Sequence, residues 1–128
     1  MYNVEDIIAA LNRDLSVFDL QVLEFLLYKN NTKKSLQCVC AGDFFTPNKA
    51  EKQDLLDFKD AILHLSRPII FETDNEVVLI SWIPPQCLVG MRWDGNPETI
   101  WYYKFDGRIL PAILMERNKK QLIRGNPA

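Results

Sequence analysis

Near the start of the chain, apolar residues recur twice at helical spacing. Ile7, Ile8 and Leu11 form a stripe behind Asn3 and Asp6, which are spaced as a capping pair. Ser16 and Asp19 repeat that start signal. Behind them Leu20, Leu23 and Leu27 make one helix face, widened by Phe18, Val22, Phe25 and Leu26. The run Val22–Tyr28 is apolar enough to fit a strand as well; helix is the reading adopted. KNNTKK (29–34) is a polar turn. It leads into a strand over Ser35–Ala41, with Leu36, Cys38 and Cys40 on one face and Val39 on the other. Thr46-Pro47 has the form of a helix start, and Leu55, Phe58, Ile62 and Leu65 follow at helical spacing until Pro68 forbids continuation.

Beyond Pro68 the period changes to two. Strands are predicted over Ile69–Thr73 and Glu76–Ile83, joined at Asp74-Asn75, whose residues tolerate the positive φ of hairpin turns. Pro84-Pro85 stops the second strand, which makes VVLISWI (77–83) core material and Trp82 a packing residue. Cys87–Trp93 and Glu98–Phe105 flank the turn DGNP (94–97), and Asp106-Gly107 makes a further corner. Pro111 opens a last helix through Met115, Leu122 and Ile123, with bases in its final turn and Gly125 beyond. The expected fold class is therefore α+β. A four- to five-stranded antiparallel meander sheet would be covered on one face by N-terminal, middle and C-terminal helices.

Length changes this picture little: 128 residues fit one domain, 1–128, able to bury roughly two-thirds of its unfolded surface without a metal or disulfide. Charge changes it more. The net charge of −2 supplies no global field for nucleic acid. Yet residues 1–29 carry Glu5, Asp6, Asp14, Asp19 and Glu24 against Arg13 and Lys29, while residues 108–128 carry five bases against Glu116. Three cysteines without a basic, apolar leader lead us to expect free thiols and a reducing, cytoplasmic setting. No run approaches the roughly 20 apolar residues of a membrane span, so no membrane partner is expected.

The chain offers little for catalysis. His64 is the one histidine; it sits near the end of the third helix, where the helix dipole favours it. No Gly-x-Ser-x-Gly elbow or phosphate-binding glycine pattern is present. Cys38, Cys40 and Cys87 lack the spacing of a zinc knuckle and are read as small hydrophobes of the core. Glu72, Asp74 and Glu76 sit around an exposed hairpin tip. No enzyme activity, cofactor or metal is expected.

Binding is better represented. MRWDGNPETIWYYKFDGR (91–108) interleaves aromatics with bases. Strand alternation puts Trp101, Tyr103 and Phe105 on one face and Tyr102 and Lys104 on the other, where Arg92, Trp93 and Arg108 could join them. The stretch EVVLISWIPP (76–85), a strand ending in Trp-x-Pro after a helix and another strand, resembles the actin-depolymerising (cofilin-like) domain over Asp57–Leu65, Ile69–Glu72 and Val77–Pro84. That resemblance implies a long actin-contacting helix after the tryptophan strand. This chain has Gly90, Gly95 and Pro97 there, so no actin-binding residue is carried over.

The expected function is a non-enzymatic protein-binding domain, of the kind represented by small immunity or antitoxin inhibitors. It would meet a basic toxin or enzyme through the acidic N-terminal helices or the Glu72–Glu76 hairpin. The alternative is a cytoskeletal or single-stranded nucleic-acid binder working through hairpin 91–108, a reading the acidic total charge disfavours.

Overall fold

The computed structural model describes residues 4–45, 50–91 and 98–110. Helix α1 (Val4–Asn12) turns Ile7 and Leu11 into the core, as its stripe predicts. Helix α2 (Val17–Lys29) opens with a full capping box. Asp19 N–H donates to Ser16 Oγ, and Ser16 N–H donates to the Asp19 carboxylate, both at 3.0 Å. With that start fixed, Val22, Leu23, Leu26 and Leu27 are buried, and the period-two alternative for this run is not adopted.

Helix α3 begins later than the sequence suggests. Thr46 and Pro47 lie outside the described residues; the described helix is Lys52–Leu65, behind an extended Glu51. Its actual cap is a second reciprocal pair, Glu51 with Asp54. The predicted stripe Leu55, Phe58, Ile62 and Leu65 is wholly buried and packs on α2. The short 3-10 turn Ala41–Phe44 places Phe44 between the two helices. Its ring meets Phe18, Phe25 and Phe58 at centroid distances of 5.7, 5.4 and 5.5 Å.

Five strands are described: β1 (Gln37–Cys40), β2 (Ile69–Glu72), β3 (Val77–Ile80), β4 (Val89–Met91) and β5 (Ile100–Tyr103). All pairings are antiparallel, so the α+β class with antiparallel sheet holds. The single meander does not. The strands form a three-stranded sheet in the order β1-β5-β4 and a separate hairpin of β2 and β3. The cause lies in Ser81–Ile83, where the backbone leaves the ladder although its side chains are buried. Ile83 N–H donates to Leu65 O at 3.1 Å, and Trp82 O accepts from Asp106 N–H at 3.0 Å. Trp82 is a packing residue, as expected, and also a tie: its indole N–H donates to Asn12 Oδ1 at 2.9 Å, at the end of α1. The predicted helix after Pro111 lies outside the described residues.

In the three-stranded sheet, Gln37, Val39, Trp101 and Tyr103 face the core. Gln37 is buried yet satisfied. It accepts from Asn31 N–H and donates to the carbonyls of Asn31 and Lys34, closing the polar turn over 29–34. Gly90 stands opposite Trp101, and a Cβ there would sit 2.5 Å from Trp101 Cζ3, so the close approach of strand and indole requires glycine.

Candidate protein-binding surface

The acidic residues of the N-terminal helices do not form one surface. Asp19 is buried. Besides capping α2, its two carboxylate oxygens each lie 3.1 Å from His64 Nδ1, across the α2–α3 contact. A carboxylate can only accept, so Nδ1 carries the proton. Asp19 is thus a structural residue, and its inclusion in a contact surface is corrected. The spacing Ser16-x-x-Asp19 was the available signal. His64 is held by Asp19 and is more than a dipole partner. No described hydroxyl or thiol bonds its ring, so nothing described completes a nucleophile–base pair. Glu5 and Glu24 are exposed, on α1 and α2, and each has a partner of its own.

Asp6 and Asp14 behave differently. Both are exposed, and they line a groove of about 460 Å³ between α1 and β2. Ala9 and Ala10 give the helix wall little bulk, while Ile69–Glu72 form the opposite wall. Glu72 brings a third carboxylate and Arg13 one opposing charge. Parts of two surfaces proposed separately from the sequence therefore meet here, Asp6 and Asp14 from the acidic N-terminal segment and Glu72 from the Glu72–Glu76 hairpin. The sequence contains no signal for that juxtaposition, which follows from α1 packing beside β2. Asp74 and Glu76 are exposed at the hairpin tip, where Thr73 N–H donates to Glu76 O at 2.9 Å.

The aromatic stretch is sorted as alternation predicts. Trp101, Tyr103 and Phe105 are buried, Tyr102 is half-buried on the outward face and Lys104 is exposed. Tyr103 OH donates to Leu26 O at 3.0 Å. Burial, with a smaller contribution from Cys38, pushes the Tyr103 phenol well above its ordinary pKa. Trp101 Nε1 is buried without an acceptor among the described residues. Around Tyr102, the outward face reads Cys38–Tyr102–Val89 in one cross-strand row and Cys40–Ile100–Met91 in the next. Cys38, Val89 and Met91 are exposed, which corrects the reading of Cys38 as a buried hydrophobe; Cys40 and Cys87 are partly buried.

Arg108 is exposed and is also tied into the fold. Its guanidinium reaches Asp106 Oδ2 at 2.6 Å and Leu79 O at 3.1 Å, and its backbone N–H donates to Asp106 Oδ1 at 2.8 Å. Burial alone would raise the Asp106 pKa, but these hydrogen bonds and the arginine charge outweigh it and hold the carboxyl below its ordinary value. Lys104 lines a separate recess of about 340 Å³ with Lys34 and Phe105. Arg92 and Trp93 lie outside the described residues.

Among the described residues no group of three metal-ligating side chains forms, and no helix is long and apolar enough to cross a membrane. Comparison with protein-family models and with curated proteins found no match to this chain.

Proposed function

We propose that this chain is a non-enzymatic protein-binding domain that holds a basic partner in the acidic groove between α1 and β2. The supporting observation is the convergence of Asp6, Asp14 and Glu72 on one groove with small and apolar side chains between them. Carboxylates at the rim of such a groove speed encounter with a cationic surface and select against acidic ones. Small inhibitors of the immunity or antitoxin type work in this way, and a basic toxin or enzyme is the partner class that fits.

The test begins with a partner captured from source lysate and continues with rates. Asp6→Lys together with Asp14→Lys should slow association about tenfold or more at low salt and flatten its salt dependence. Asp60→Lys, on exposed α3 surface away from the groove, should leave the rate unchanged. Equal rates for all three proteins would remove the groove from consideration.

A second reading rests on the outward face of the three-stranded sheet. Its two rows hold Tyr102 and Ile100 among aliphatic and thiol side chains, with no base in either row. That composition suits an apolar protein surface better than a phosphate backbone, which needs cations along its path. Quenching of tryptophan fluorescence by a single-stranded oligonucleotide at low salt would reverse this preference.

A further inference from the structure

Of the two outer edges of the hairpin, one is capped and the other is unbonded among the described residues. Thr73 N–H donating to Glu76 O sets the alternation, so that Phe71 faces Val78 and Ile69 faces Ile80 in hydrogen-bonded pairs. The backbone groups of Leu79 consequently point away from β2, and Arg108 Nη2 occupies the Leu79 carbonyl. A guanidinium on an edge carbonyl blocks strand addition there. By the same alternation, the N–H and C=O of Ile70 and Glu72 point away from β3, along the groove beside α1. No described residue bonds them.

We infer that the groove receives its partner as an added strand: an extended segment alternating basic and apolar residues pairs with β2 at Ile70 and Glu72. The inference rests on the acidic-groove reading above and deepens it. Main-chain bonds to Ile70 and Glu72 supply the grip, while Asp6 and Asp14 on the α1 side of the groove outnumber Arg13 and select cationic side chains. The length suits a short insertion, since four strand residues span roughly 13 Å, room for three or four partner residues. Ile70 is 66% exposed on the outward face, so an apolar side chain of the incoming strand gains a neighbour there.

The experiment uses the full chain, labelled with nitrogen-15, and the peptide acetyl-Lys-Val-Lys-Val-Lys-amide at low salt. The expected result is shifts centred on residues 70–72 and 9–14, with slowed hydrogen exchange at the Ile70 and Glu72 amides. N-methylation of alternate peptide nitrogens should weaken binding about tenfold, the worth of one or two hydrogen bonds. Asp6→Asn with Asp14→Asn should weaken it comparably, and Arg13→Ala should tighten it. If the N-methylated peptide binds as well and the two amides stay unprotected, strand addition is overturned while the acidic groove survives. If millimolar peptide shifts nothing, both fall. Concentration-dependent slowing of tumbling without peptide, abolished by Ile70→Pro, would make a second copy the occupant and overturn the basic-peptide assignment.

Discussion

The two sheets of this protein are built from the same kind of strand and bury it very differently. In the three-stranded sheet, Val39, Trp101 and Tyr103 are all buried on the core side, and Tyr103 is sealed by its bond to Leu26 O. In the hairpin, the core-facing Ile69, Phe71 and Val78 are only half-buried, and Ile70, Val77 and Leu79 are 66–69% exposed on the other side. A β-rich apolar sequence therefore does not by itself say how deeply its strand will sit. Depth is set by what lies behind it. Helices α2 and α3 pack together in the centre, while the hairpin rests at the margin against α1. This less buried hairpin is the one that lines the acidic groove and whose β2 edge no described residue bonds.

Substitutions can break or sharpen this contrast. Trp101→Ala should show the largest effect, costing about 3–5 kcal/mol in chemical denaturation, because a fully packed indole leaves a cavity that neighbouring strands cannot close. A loss under about 1 kcal/mol would mean that the three-stranded sheet is as loosely backed as the hairpin. Gly90→Val comes next, at about 1–3 kcal/mol from overpacking against that indole. Combined with Trp101→Leu, its cost should not add, since the two residues share one space.

Tyr103→Phe should cost about 1–2 kcal/mol by orphaning the Leu26 carbonyl. An unchanged midpoint would show that Leu26 O finds another donor. Asp106→Asn tests the clasp between the sheets through pH. Because the Asp106 pKa is lowered in the folded state, its contribution is complete above the unfolded value of about 3.9. It is lost as pH falls through the lower folded value. The variant should be less stable than the native protein at neutral pH, with the gap narrowing in acid; a constant gap would assign Asp106 a purely steric role. Ile70→Thr sits at the other extreme. It should change stability by no more than about 0.5 kcal/mol, while weakening strand addition if that face is used.

Much of the local structure was legible along the chain. The capping pair Ser16–Asp19, the stripe Leu55–Phe58–Ile62–Leu65 and the Asp74-Asn75 turn each carry their information within a few residues, and each appears where its spacing puts it. The same locality explains the failures. Thr46-Pro47 looked like the start of α3, but the helix begins behind Glu51, whose exchange with Asp54 is an equally local and competing signal. Asp19 was read as surface charge because its second partner, His64, lies on another helix. The tie from Arg108 to the Leu79 carbonyl was likewise not legible, because the two residues are distant in sequence.

What the sequence determined alone is the class of the described α-helices and strands and the side of β5 that goes inward, because periodicity and residue type are properties of short windows. Tertiary structure decided the rest. It split one expected meander into two sheets by drawing Trp82 and its neighbours to Asn12, Leu65 and Asp106. It also laid the first helix beside the second strand, joining Asp6 and Asp14 to Glu72. Both outcomes depend on which distant surfaces meet, and no window of sequence contains that pairing.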